Sequence, residues 1–195
     1  MLTIAWDVDD VLNDLTKQWL YYYCKKQNIK MEYKDIVSNP PHNILNMTFD
    51  EYINSLDSFR LSDKALNMLP NSKILNWFEQ YGYLFNNIVI TSTSAKTSQN
   101  SAFWVMKHFY KWIHSFNIVP SYRIDDNVVR TDKTKKDFLE RIGNVDIFID
   151  DNKKNIDDAK ELKIKTFLVA KPWNKNGLKI EDILMELTKI GKNNK

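Results

Sequence analysis

The sequence predicts an α/β fold: a Rossmann-like parallel sheet with helices on both faces and a small helical cap inserted after the first strand. Three observations predict it. Short, almost continuously apolar runs recur at residues 2–6, 88–90, 145–149 and 166–169, as strands buried on both faces require. From the second run onward, stretches with apolar residues at helical spacing separate them. Between the first run and the second there is no strand pattern, only helical pieces around the breaker Asn39-Pro40-Pro41.

Taken in order, the first strand leads into a helix over 14–27, with Asp14 as its N-cap. Helical spacing follows at 49–56 and 72–81. A long helix is expected over 98–115, with Ala102, Val105, Met106, Phe109, Trp112 and Ile113 on one face, then a weaker strand over 118–124. Helices over 133–142, ending at Gly143, over 152–162 and over 180–190 complete the alternation, and the Lys/Asn-rich tail 191–195 is expected to fray. The resulting division is a core of 1–14 and 84–195 and a cap of 15–83. Ligands of such sheets bind outside the carboxyl ends of the strands, so an insertion leaving the first strand stands above that edge.

At 195 residues the chain suits one core domain with a modest insertion. Its 28 basic and 25 acidic residues nearly balance, which excludes a strong overall field toward nucleic acid or membrane. No apolar stretch reaches the length of a bilayer span, the single cysteine, Cys24, has no internal partner, and no signal-peptide layout opens the chain. These features read as cytoplasmic. His42, His108 and His114 do not share a ligand spacing.

The chemistry concentrates where apolar runs end. Asp7-Val8-Asp9-Asp10 crowds carboxylates at the end of the first strand, and Asp150-Asp151 does so at the end of the run at 145–149. Crowded acids call for a counter-charge, and a hard divalent cation such as Mg²⁺ takes carboxylates together with phosphate. Thr91 and Ser92 place hydroxyls and backbone N–H groups after the second strand, where a phosphoryl group can be bonded. Asp132-Lys133-Thr134 adds a lysine just before a helix.

This order of motifs resembles the haloacid dehalogenase superfamily of phosphohydrolases. The segment Asp7-Val8-Asp9-Asp10-Val11-Leu12-Asn13-Asp14 is similar to the Asp-x-Asp-Gly-Val-Leu-x-Asp of its 5′(3′)-deoxyribonucleotidase group, as are Ile90-Thr91-Ser92, Asp132-Lys133-Thr134 and Ile149-Asp150-Asp151. Lys171-Pro172-Trp173-Asn174 resembles the Arg-Pro-aromatic-Asn turn after the last core strand. The chain departs from the group at Asp10, usually glycine, at Leu15, often aromatic, and at Asn100-Ser101, where a second phosphate-contacting lysine stands.

The resemblance implies a Mg²⁺-dependent phosphomonoesterase. Asp7 would be the nucleophile, forming an aspartyl-phosphate, and Asp9 the acid and then base, its pKa raised by neighbouring carboxylates and partial burial. Thr91, Ser92 and Lys133 would hold the phosphate, and Asp7, Asp9 (through its carbonyl), Asp150 and Asp151 would supply the metal ligands. The implied substrate is a small phosphorylated metabolite, first of all a (deoxy)nucleoside monophosphate. A sugar phosphate, a nucleic-acid 3′-phosphate end and a catalytically silent binding module stay open as alternatives. Phe49, Tyr52, Phe59 and Arg60 are the cap residues that could face the site, and exposed cap aromatics could also serve a homodimer. A nucleic-acid partner would need a basic groove, for which Lys133, Lys135, Lys136, Lys153 and Lys154 are the candidates.

Overall fold

The structure, a computed structural model, describes residues 1–121, 128, 129 and 131–194. Five parallel strands form one sheet in the order β3-β2-β1-β4-β5. β1 (Thr3–Trp6) is central, flanked by β2 (Asn86–Thr91) and β4 (Ile147–Asp150), with β3 (Ile113–Ile118) and β5 (Lys165–Leu168) at the edges. β1 and β4 are buried along their whole length, which explains their unbroken apolar reading.

Helices cover both faces. α4 (Ser72–Tyr81), α5 (Ala95–Phe109) and α8 (Ile180–Asn193) bury Trp77, Phe78, Trp104, Phe109, Ile183 and Leu187 against one side of the sheet. α6 (Lys135–Ile142) and α7 (Lys153–Glu161) bury Phe138, Leu139, Ile156 and Ala159 against Ala5, Ile90 and Phe148 on the other. The inserted segment carries α1 (Leu15–Gln27), α2 (Phe49–Arg60) and α3 (Asp63–Leu66), which close a separate cluster of Trp19, Leu20, Ile36, Tyr52, Leu56 and Phe59. The last cap-cluster residue is Met68, and α4 packs with the sheet cluster, so the side chains change allegiance before residue 83.

Three expectations change in detail. The helix expected over 98–115 ends at Phe109, and Ile113 to Ile118 is strand; Phe109, Trp112 and Ile113 mimic a helical stripe because Phe109 and Ile113 both face the core, from different elements. β3 is an edge strand whose His114, Ser115 and Asn117 interrupt the apolar run, and residues 122–124 of the strand expected over 118–124 lie outside the described residues. The tail is helical to Asn193: Gly191 passes so close to Phe85 that an added Cβ would lie 2.8 Å from its ring, and the helix is held down there.

Candidate active site

β1 delivers Asp7 to the carboxyl edge of the sheet, where its backbone N–H donates to the Ile149 carbonyl at 2.9 Å. That bond ties the end of β1 to the end of β4, so Asp7 stands beside Asp150 and Asp151. Carboxylate oxygens of Asp7, Asp150 and Asp151 all lie within 4.8 Å of one another, and all three residues are buried. The register Trp6↔Val89 carries Thr91, also buried, to the same edge, with Ser92 exposed just beyond it. The neighbouring hydroxyls of Thr93, Ser94 and Thr97 bond one another at the start of α5.

The lysine that enters this cluster is Lys135. Its ammonium lies 2.8 Å from Asp7 Oδ1 and 2.7 Å from Asp150 Oδ2, with the side chain only 2 % exposed. Lys133, expected in that place, is exposed, and its backbone N–H donates to Asp137. The reason is local: Thr134 and Asp137 form a reciprocal capping box that starts α6 after Thr134, leaving Lys133 outside the helix. Lys135 is the first helical residue and shares the buried stripe of Phe138 and Leu139, three and four positions on. Asp132 is spent on Arg141, with two bonds of 3.0 and 2.6 Å.

Burial of so many acids shows in their ionisation. Desolvation pushes the Asp7 carboxyl up to about 7; Asp150 and Asp9 add to this and Lys135 opposes it. Burial, then the charges of Asp150, Asp10 and Asp7, hold Asp151 well above the usual carboxylate range. For Lys135, burial pulls downward, but Asp150 and Asp7 outweigh it and keep the ammonium charged. One lysine thus faces three carboxylates. Among the described residues, Asp7 Oδ2 and Asp151 Oδ1 receive no hydrogen bond; Asp7 Oδ1 accepts from the Val8 N–H and Asp151 Oδ2 from the Trp173 indole. An oxygen-only donor set with excess negative charge fits a hard divalent cation.

The Asp9 carboxylate stands apart from this trio and is engaged by the cap. Arg60, in the last turn of α2, places Nη2 2.8 Å from Asp9 Oδ2 and Nη1 3.2 Å from Asp57 Oδ1. Asn13 donates to Asp9 Oδ1 at 3.4 Å, and Asn100 of α5 holds the Arg60 carbonyl at 3.1 Å. Tyr52 and Phe59 pack within the cap cluster, and Phe49 is half exposed against His42. Of the four cap candidates, Arg60 is the one that reaches the acids of the strand end.

Asp10 adopts φ 62°, the left-handed conformation for which glycine is usual. Its carboxylate repays the strain by accepting from the Thr16 N–H at 3.1 Å and from the Thr16 hydroxyl, while Asn13 accepts from the Leu15 N–H at 3.0 Å. Asp10 and Asn13 therefore satisfy the opening N–H groups of α1. Asp14, expected as the cap, makes no such bond and pairs instead with Lys171 at 3.2 Å. Ser92, Lys133, Lys135, Lys154 and Asn155 line an open cavity of about 540 Å³ beside the acids. Of the basic groove candidates, Lys136, Lys153 and Lys154 pair with Glu161, Asp157 and Asp158. No helix among the described residues is long and apolar enough to cross a membrane.

No family model and no curated protein matches the sequence. Solved structures match it in fold. A haloacid dehalogenase-like hydrolase from Streptococcus pneumoniae superposes with a TM-score of 0.61 at 15 % identity, over 95 % of this chain and 90 % of that one. A protein from Thermotoga maritima described as a candidate β-phosphoglucomutase gives 0.60 at 16 % identity, over 97 % and 100 %. A hydrolase of this type from Bacillus subtilis, solved with magnesium, gives 0.58 at 16 %, over 97 % of each. With the sheet order, the insertion after β1 and the acids at the strand ends in view, the fold of this chain is that of the haloacid dehalogenase-like hydrolases.

Proposed function

We propose that this protein is a Mg²⁺-dependent phosphomonoesterase that works through an aspartyl-phosphate on Asp7. The observation that carries the reading is the buried convergence of Asp7, Asp150, Asp151 and Lys135 at one sheet edge. Of the two Asp7 oxygens one would attack phosphorus and the other would stay with the cation; Oδ1 accepts from the Val8 N–H and faces Lys135. Lys135, not Lys133, neutralises nucleophile and phosphoryl oxygens, and Thr91 with the Ser92 N–H bonds the transferring group. Asp7, Asp150 and Asp151 would hold the cation, which when bound offsets the negative charge of the phosphoryl oxygens. Asp9, oriented by Arg60 and Asn13, donates a proton to the leaving oxygen and then withdraws one from the attacking water.

For the substrate we propose a (deoxy)nucleoside monophosphate. The reading rests on the resemblance of residues 7–14 and 149–151 to that group, and a cavity of about 540 Å³ beside Lys135 has the size of a small-molecule site. The test is phosphate release from an aryl phosphate with and without Mg²⁺, then from a panel of nucleoside monophosphates and sugar phosphates. Asp7→Asn is expected to lower turnover by about 10⁴-fold. Undiminished activity in that variant rejects the nucleophile, and preference for sugar phosphates rejects the substrate.

A further inference from the structure

The turn after β5 is built onto Asp151. The Trp173 indole N–H donates to Asp151 Oδ2 at 2.8 Å, and Asn174 Nδ2 donates to the Asp151 carbonyl at 2.7 Å and to the Val169 carbonyl at 2.9 Å. Asn174 Oδ1 accepts from the Lys171 N–H at 3.1 Å, so every polar atom of that side chain is used to hold the turn against residue 151. Gly177 is needed for the approach: a Cβ there would lie 2.5 Å from both Ala170 Cα and Asn174 Oδ1. On its other side Trp173 meets the edge of Tyr33 from the cap, with ring centroids 6.0 Å apart.

We propose that Trp173 is a positioning residue for the metal site: its indole N–H selects which oxygen of Asp151 is offered to the cation. An indole is a donor only, so it neither takes a proton from the carboxyl nor competes for the metal. By occupying Oδ2 it fixes the carboxylate rotamer and leaves Oδ1, which has no hydrogen bond among the described residues. Asn174 anchors the backbone of the same residue, so both ends of the Asp151 side chain are set from one turn. Partners of this kind behind a ligand are worth about 10- to 100-fold in metal affinity. The inference rests on the proposed role of Asp7, Asp150 and Asp151 as cation ligands.

The test is calorimetric titration of the metal-free full-length protein with Mg²⁺. Trp173→Phe, which keeps a ring against Tyr33 but removes the N–H, is expected to bind Mg²⁺ about 10- to 100-fold more weakly. Tyr33→Leu, which removes the ring contact but leaves the N–H, is expected to bind within about twofold of wild type. Unchanged affinity in Trp173→Phe, or an equal loss in both variants, overturns the proposal. In the wild-type protein the Trp173 indole N–H resonance is expected to shift on Mg²⁺ addition. An unmoved resonance overturns the proposal even where Trp173→Phe does not fold. Wild-type protein that binds no Mg²⁺ instead rejects the metal reading on which the clamp rests.

Discussion

The two halves of the candidate site are held in different ways. On the core side, Asp7, Asp150 and Lys135 sit at the ends of fully buried strands and at the first residue of a capped helix, and Lys135 and Asp150 are at most 2 % exposed. On the cap side, Arg60 reaches Asp9 from the end of α2, and that pair keeps 12 % and 19 % exposure. The cap has its own hydrophobic cluster and is joined to the core through hydrogen bonds from Asn100 to the Arg60 carbonyl and from Trp104 to the Met68 carbonyl. The buried acids and Lys135 are thus set by strand ends and a helix start, and the cap contributes one long side chain.

Lys135→Met tests the core half hardest. It leaves Asp7 and Asp150 buried without their cation, so a loss of about 3–5 kcal/mol in unfolding free energy is expected in denaturant titrations without metal. Mg²⁺ should restore part of it. Turnover is expected to fall about 10²- to 10³-fold. Lys133→Met should change either quantity little; a large loss there and none at Lys135 would reverse the assignment of the lysine.

Arg60→Met tests the cap half. The expected loss is about tenfold in kcat/KM on an alkyl phosphate, equivalent to about 1.4 kcal/mol. It should be smaller on an aryl phosphate, whose leaving oxygen needs little help from Asp9. Equal losses on both substrates would show that Arg60 supports the cap and not the acid. Hydrogen exchange in α2 should rise in the same variant while β1 and β4 stay protected.

A further test is pH dependence. The Asp7 carboxyl is raised from 3.8 to about 7 in the folded chain, chiefly by burial. Below pH ~4 it is protonated folded or unfolded and costs nothing. Between about 4 and 7 the unfolded chain releases the proton and the native chain retains it, so native stability declines as pH rises through that window. Asp7→Asn lacks the group, so in chelator its melting temperature should gain on wild type from pH 4 to pH 7. A constant difference across that range would remove Asp7 as a strained buried acid.

The layered α/β architecture and the acids that the strand ends bring together were legible in the residues because burial and charge leave opposite marks on a strand. An apolar run that stops at acids, as at Trp6-Asp7 and Ile149-Asp150, announces both a buried strand and its exit. Lys135 was legible too, through the Thr134–Asp137 capping box and its i, i+3, i+4 relation to Phe138 and Leu139, but a nearby three-residue motif match pointed to Lys133. The edge strand β3 was not, since it has too little buried surface to write an apolar pattern.

By itself the amino-acid sequence determined the alternation of strands and helices, the cap insertion and the acids that end β1 and β4. Those are local properties, set by periodicity and by the cost of burying charge. Only the tertiary structure decided that Asp9 answers to Arg60, fifty-one residues away, and Asp151 to Trp173, twenty-two away. Such pairings depend on where separate elements meet in space, and no spacing along the chain encodes the distance between two helices or a strand and a turn.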